Sequence, residues 1–187
     1  MPLSGCFRVR AWAKIAVVPA LMAASLQAGA DGTPIDEYQL KAVFLFNFAK
    51  FVEWPPRAFG DARDPFTICV WGDNPFGSLL DAVVRGKTVA NRPISVLLVS
   101  TPQQARTCQI LFVSASERKR MRGLLEALKT CCVLTVGDTD DFTATGGIVQ
   151  FRVRDARVRI EIDAEAAERA NLRISSRLLS LAEPARH

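Results

Sequence analysis

The sequence is almost without histidine, since its one residue of this type, His187, is the last in the chain. Chain ends are usually frayed, so a histidine-based triad, a histidine-assisted cysteine nucleophile and a histidine-containing zinc site each lack their central residue. The paired CxxC spacing of a four-cysteine zinc site is also missing. We therefore predict a protein that is not an enzyme and has neither a metal site nor a cofactor.

Outside residues 1–30, the chain also lacks a large excess of positive or negative charge. Residues 1–30 contain three of the 24 basic residues and none of the 19 acidic ones, so the remaining chain has 21 basic residues against 19 acidic. Nucleic-acid-binding domains usually carry a clear basic excess on one face. We therefore predict no nucleic-acid partner.

The N-terminus has the three parts of a secretory signal peptide. Arg8, Arg10 and Lys14 form a positive region, residues 15–26 are almost entirely apolar, and small residues occupy positions 28–30. The apolar run is shorter than the roughly 20 residues that cross a bilayer, which disfavours the alternative of a retained anchor. We predict a signal peptide over residues 1–30 and a single mature domain over residues 31–187.

Four cysteines remain after such a cleavage: Cys69, Cys108, Cys131 and Cys132. An oxidising compartment favours disulfides, and four cysteines allow three pairings. A bridge between the adjacent Cys131 and Cys132 would strain the intervening peptide. The pair Cys69 and Cys108 is therefore favoured, and the state of Cys131 and Cys132 stays open.

Short apolar runs alternate with helical segments along the mature chain. Predicted strands cover residues 66–71, 94–99, 110–113 and 133–136, and predicted helices cover 35–54, 76–84 and 116–128. Residues 148–153 and 158–162 then predict an antiparallel hairpin, followed by short helices over 164–170 and 175–182. The pattern predicts an α/β fold: a mostly parallel sheet of four to six strands, with helices on both faces and a C-terminal antiparallel hairpin.

The first predicted helix is apolar over most of its circumference. In its second half only Asn47, Lys50 and Glu53 form a narrow polar stripe. Such a helix buries more than one face, which predicts an oligomer contact through Phe44, Phe48 and Phe51. Complete burial in one large core is the alternative.

Charged residues gather at two places. Asp73 follows the first predicted strand and Asp138 the fourth, and ligand crevices in parallel sheets lie beyond the carboxyl ends of strands. Such loops also favour aspartate simply as a turn residue.

The second gathering of charge is on the hairpin, where arginines alternate with apolar residues. Because the arginine fork pairs carboxylates bidentately, this pattern predicts a partner-binding surface, with a solvated face as the alternative. The predicted binding residues are Arg152, Arg157, Arg159 and Glu161.

The chain resembles the YfiR-like family of periplasmic proteins over nearly the whole mature sequence. The opening helix carries the longest matching segment, residues 38–55. The other segments occur in the family's order: 68–70 with 72–77, 108–113, 133–136 with Asp138, 146–148 with Phe151, 160–162, and 171–179.

The resemblance implies a periplasmic repressor that binds the periplasmic domain of an inner-membrane diguanylate cyclase and keeps cyclic di-GMP, and hence biofilm formation, low. It also implies a homodimer, an outer-membrane lipoprotein as a further partner, and a disulfide between Cys69 and Cys108. A periplasmic sensor that binds a small molecule in a crevice near Asp73 and Asp138 is the alternative function.

Overall fold

A computed structural model describes residues 34–61 and 63–185 of the chain. The predicted signal peptide lies outside these residues. Among the described residues, no helix is both long and apolar enough to cross a membrane.

Six helices and ten strands make up this part of the chain. The helices are α1 (Pro34–Phe51), α2 (Leu79–Val84), α3 (Pro102–Ala105), α4 (Met121–Leu128), α5 (Ala164–Arg169) and α6 (Ser176–Leu179). The strands are β1 (Val52–Glu53), β2 (Phe66–Trp71), β3 (Thr88–Val89), β4 (Arg92–Val99), β5 (Ile110–Val113), β6 (Leu134–Gly137), β7 (Val149–Arg154), β8 (Arg157–Ile162), β9 (Arg173–Ile174) and β10 (Glu183–Pro184).

Eight of the strands form one mixed sheet in the order β10-β8-β7-β6-β5-β2-β4-β3. The pairs β3/β4 and β7/β8 are antiparallel and the other five are parallel. A mostly parallel sheet with a C-terminal hairpin is therefore confirmed, but the predicted count of four to six strands is wrong. The additional strands, β3 and β10, are two residues long, too short to show a hydrophobic period.

The central strands β2, β5 and β6 are buried along their whole length. Alternate side chains enter two separate cores, because successive residues of a strand point to opposite faces. Ile68, Ile110 and Leu134 pack in the first core with α1, α2, α5 and α6. Cys69 and Leu111 pack in the second core with α3 and α4. Helices therefore cover both faces, as predicted.

Helix α1 ends at Phe51, three residues earlier than predicted. Pro55 excludes the helical conformation only for the residue before it. The chain leaves the helix sooner because Val52 pairs with Ile174, and Glu53 with Arg173, in a separate two-stranded ribbon. Trp54 then packs edge-on against Phe66, with ring centroids 4.9 Å apart.

The core of the chain itself explains much of the apolar surface of α1. Phe48 is fully buried and stacks on Phe151 of β7, with ring centroids 5.9 Å apart. A side chain that is 0% exposed cannot contact a second copy, so the prediction that Phe48 is a dimer contact is wrong. Phe44 and Phe51 are half-buried, and their role as dimer contacts stays a prediction.

The disulfide joins Cys69 in the middle of β2 to Cys108 just before β5, with Cα atoms 6.0 Å apart. The two cysteines meet because β2 and β5 are neighbours, and both are buried in the second core. The predicted pairing of Cys69 with Cys108 is thus present in the structure.

Cys131 and Cys132 are free thiols at the turn that precedes β6. Cys131 packs against the second core and Cys132 against the first, so the two side chains lie on different sides of the sheet. The Arg57 Nε donates a hydrogen bond of 3.3 Å to the Cys132 sulfur. The two thiols therefore have separate surroundings.

We expect the double variant Cys69→Ser/Cys108→Ser to fold with a clearly lower melting temperature. The disulfide spans 39 positions, for which chain entropy predicts a stabilisation of about 4 kcal/mol, with measured values often smaller. Each kcal/mol shifts the melting temperature by roughly 2–4 °C in a domain of this size. Thermal denaturation followed by circular dichroism measures the shift.

The matched control for this variant is Cys131→Ser, which removes a half-buried free thiol and should change the melting temperature little. Mass spectrometry of the alkylated, non-reduced protein checks the pairing. Alkylation of both Cys69 and Cys108 would contradict it, as would an unchanged melting temperature in the double variant.

Candidate functional site

The hairpin formed by β7 and β8 extends beyond the neighbouring strand. Only Val149 and Gln150 of β7 pair with β6, whereas all six β7 residues pair with β8. Residues 151–154 therefore continue past the end of β6. The turn at Asp155 and Ala156 has positive φ angles of 51° and 55° at these two positions, the conformation of a tight two-residue hairpin turn.

The register of the hairpin places all four arginines on one face. Arg152 lies opposite Arg159, and Arg154 lies opposite Arg157. Directly opposed residues of an antiparallel pair share a face, and like charges in that arrangement are destabilising. The other face carries Phe151, which packs against α1. The arginines therefore share the face opposite to Phe151 and concentrate positive charge there.

Two of the arginines are neutralised inside the chain. Arg152 Nε lies 2.8 Å from the Glu161 carboxylate, and Arg154 lies 3.7 Å from the carboxylate of Glu183 on β10. The first pair is partly buried and the second is exposed, so the second is worth little. Arg157 and Arg159 are exposed and form no ion pair within the described part of the chain. These two guanidinium groups are thus both exposed and available to pair with a carboxylate of a partner.

Glu161, predicted as a partner-binding residue, is 3% exposed. It accepts one hydrogen bond, from the Thr143 hydroxyl, and pairs with Arg152. Thr143 belongs to the loop between β6 and β7, which lies over this face and also contacts Gln150. Glu161 therefore forms a buried ion-pair partner for Arg152. The prediction that Glu161 itself binds the partner is wrong, because its side chain is not accessible.

The loop between β6 and β7 keeps its position through two glycines. Gly137 and Gly147 lie against the buried ring of Phe142, and a Cβ atom at either position would overlap that ring. Only glycine allows this close approach. The two glycines thus hold Thr143 where it reaches Glu161.

A buried cation lies on the other side of the hairpin, at the carboxyl end of β6. Lys41 of α1 is 2% exposed, and its ammonium lies 2.7 Å from Asp138 and 2.5 Å from Glu37. The Tyr38 hydroxyl donates to the same Asp138 carboxylate over 3.0 Å. Burial and the charge of Asp138 raise the pKa of Tyr38 above its ordinary value, so the phenol stays protonated and remains a donor.

These groups line one wall of an open cleft of about 500 Å³. Asp140, Arg152 and Arg154 line it as well. Of the two aspartates predicted to form a crevice, only Asp138 lines this cleft. Asp73 is exposed at the end of β2, where its backbone N–H donates to the Ser116 hydroxyl.

The sequence analysis did not identify Lys41 as a site residue. The available signal was a lysine four positions after Glu37, the spacing of a helical ion pair, in an otherwise apolar stretch. A buried lysine needs a carboxylate partner, because an unpaired charge in the core is very unfavourable. That partner, Asp138, lies 97 positions away and could not be identified from local pattern.

An α/β domain with a projecting hairpin that carries accessible, unpaired arginines has the geometry of a binding protein. The sequence profile of the YfiR/HmsC-like family matches residues 38–183. The chain therefore belongs to the YfiR/HmsC-like family, whose members are periplasmic regulators and not enzymes.

A crystal structure of a conserved domain protein from Vibrio cholerae O1 biovar El Tor strain N16961 has a related fold, with a TM-score of 0.51 and 11% sequence identity. The similarity covers 65% of this chain and 55% of that protein, so this chain matches about half of its length. At this identity the likeness concerns the fold alone. No curated protein sequence gives a significant match.

We expect Lys41→Met to destabilise the protein, because it leaves Asp138 without its cation. Removing one partner of a buried ion pair typically costs about 3–5 kcal/mol. Chemical denaturation measures the free energy of unfolding. Lys50→Met, on the exposed side of the same helix, should change it by less than about 1 kcal/mol.

A second change distinguishes charge from packing. Adding Asp138→Asn to Lys41→Met removes the uncompensated carboxylate, so the double variant should recover part of the lost stability. Equal stability of Lys41→Met and the wild type would show that the ion pair does not support α1.

Proposed function

We propose that this protein is a periplasmic repressor that binds the periplasmic domain of an inner-membrane diguanylate cyclase and thereby lowers cyclic di-GMP and biofilm formation. Membership of the YfiR/HmsC-like family is consistent with regulation of diguanylate cyclases. The observation that supports a binding role most directly is the exposed pair Arg157 and Arg159 on the projecting hairpin.

The charge arrangement supports an acidic partner surface. Four arginines share the face, and the two carboxylates that pair with them, Glu161 and Glu183, lie toward its base. Partner carboxylates near Arg157 and Arg159 would relieve the repulsion between the opposed arginines. Arginine forms bidentate pairs with carboxylates, which adds orientation to the attraction. Association through such a surface should weaken as the salt concentration rises.

Secretion through the N-terminal signal peptide is part of this proposal, since the repressor and the cyclase domain must share the periplasm. An outer-membrane lipoprotein that captures the repressor is the further partner, and its binding releases the cyclase. The disulfide between Cys69 and Cys108 lies within the second core, so its reduction would loosen the fold and provide a second route of release.

A small-molecule sensor is the alternative function, and the open cleft beside Asp138 is the observation that favours it. Lys41 is already paired with two carboxylates there, which leaves Arg152 and Arg154 as the cations that an anionic ligand would meet. Both arginines also have carboxylate partners. The cleft therefore offers a ligand fewer free polar groups than the hairpin offers a protein.

The test of the proposed function is the double variant Arg157→Glu/Arg159→Glu. We expect at least a tenfold loss of affinity for the isolated periplasmic domain of a diguanylate cyclase from the same organism, measured by biolayer interferometry. The melting temperature should stay nearly unchanged, because both side chains are exposed and unpaired. In cells, the variant should raise cyclic di-GMP.

The control is Arg118→Glu/Arg122→Glu, which makes the same charge change at two exposed arginines near α4. It should bind like the wild type. Equal binding by both double variants would mean that the hairpin is only a solvated face.

A further inference from the structure

Strand β7 loses its neighbour on one side where β6 stops. Gly137, the last residue of β6, pairs with Gln150. Residues 151–154 pair with β8 on the other side, and within the part of the chain that the structure describes no strand pairs with their β6 side. Beyond Gly137 the chain turns toward α1, where Asp138 binds Lys41. The place that a longer β6 would occupy therefore has no strand.

The open cleft of about 500 Å³ beside Asp138 lies at this place. Residues 151–154 of β7 line one wall of the cleft, and Asp138 and Asp140, which follow β6, line another. Val153 is 51% exposed there. The cleft therefore gives an extended peptide chain access to the edge of β7.

The hydrogen-bond pattern of the hairpin directs the backbone of Val153 into this cleft. Opposed residues of an antiparallel pair alternate between hydrogen-bonded and non-bonded pairs. The N–H of Asp163 donates to the carbonyl of Ile148 over 2.9 Å, so the residues of β7 with even numbers bond to β8. Val153 lies opposite Val158 in a non-bonded pair. The N–H and C=O of Val153 thus point to the side where β6 is absent.

The two faces of this edge differ in chemistry. Arg152 and Arg154 lie on one face, and Phe151 and Val153 lie on the other, where Phe151 packs against α1. A strand added at the edge alternates in the same way. Its residue opposite Val153 should therefore be apolar. The two neighbours of that residue should be acidic, because they lie on the face of the arginines.

The carboxylates of the cleft limit where the acidic groups of an added strand can lie. Glu37 and Asp138 share the ammonium of Lys41, so their charge is partly neutralised. Asp140 is exposed and would repel a carboxylate placed beside it. The acidic residues of the strand are therefore expected beside Arg154, the more exposed of the two arginines that line the cleft.

We infer that a short extended segment of the cyclase periplasmic domain, with an apolar residue between two acidic ones, pairs with the edge of β7 at Val153 and continues the sheet in the place of β6. This inference rests on the proposed function and gives it a binding mode. In strand addition of this kind, main-chain hydrogen bonds supply affinity and alternate side chains supply specificity. The cleft supplies the first at Val153 and the second at the arginines.

The variant Val153→Pro tests the backbone contact. Proline removes the N–H that faces the cleft. Because this N–H does not bond to β8, the hairpin should remain paired, as edge strands tolerate proline at such positions. We expect roughly a tenfold loss of affinity for the isolated periplasmic domain of the cyclase, since a backbone acceptor of the partner is left unpaired. Biolayer interferometry measures the affinity, and circular dichroism should show a melting temperature close to that of the wild type.

Val158→Pro is the matched control. It makes the same change at the opposed residue of the same hairpin, where the N–H also points away from the ladder, but toward the other edge. Among the described residues, β10 pairs only with Glu161 and Ile162 of β8, so this N–H has no ladder partner to lose. Val158→Pro should bind the cyclase domain like the wild type.

The outcomes separate this inference from the proposed function. A wild type that does not bind the cyclase domain would overturn both. A wild type that binds, together with a Val153→Pro variant that binds equally well, would overturn the inference and leave the function standing. Equal losses in the two proline variants would also overturn it, because the shape of the hairpin and not the edge at Val153 would then be what the partner needs.

Hydrogen exchange provides a second test that needs no substitution. The amide of Val153 has no ladder partner in the isolated protein, so it should exchange more slowly, by about an order of magnitude or more, when the wild type is bound to the cyclase domain. An amide that exchanges equally fast in the free and the bound protein would show that no strand is added at this edge.

Discussion

The double burial of three central strands is the constraint on which the rest of the structure depends. Because β2, β5 and β6 are buried on both faces, each face needs its own helical layer. Helix α1 supplies most of the first layer, and its apolar circumference follows from that position. The disulfide lies in the second layer, where it links β2 to the segment that leads into the neighbouring strand β5. Secreted domains of modest size commonly add such a bond to their cores.

The charged groups of the hairpin lie where the helical layers no longer cover both faces of the sheet. Strand β6 stops at Gly137, and β7 and β8 continue beyond it. On one face of this extension Phe151 still packs on α1, so that face stays apolar. The other face is covered by the loop between β6 and β7, which contacts the hairpin only at Gln150 and Glu161. The arginines farther along the hairpin are therefore exposed, and no carboxylate among the described residues pairs with Arg157 or Arg159.

The two edges of the sheet differ in charge and in exposed apolar surface. At one edge, β10 covers Glu161 and Ile162 of β8, and the rest of β8 carries arginine. Such charge discourages a further strand and attracts acidic groups. At the other edge, residues 94–99 of β4 pair with β2 on one side only, carry no charge and expose Leu97 and Leu98. The hairpin edge is thus basic, and the edge at β4 is apolar.

Local pattern in the sequence determined much of this architecture. Continuous apolar runs predicted four strands of the sheet, β2, β4, β5 and β6, three of which are buried along their whole length. Alternation predicted the hairpin, because one of its faces is solvated. Other features depended on residues far apart in the chain. Glu161 is buried because Thr143 and Arg152 provide its partners. Lys41 can be buried because Asp138 pairs with it. Phe48 is buried by the first core and not by a second copy. The two-residue strands β1, β3, β9 and β10 exist only because a partner strand lies beside them. Spacing shows which face of an element is apolar, but only the tertiary structure decides what covers that face and which edge is left open.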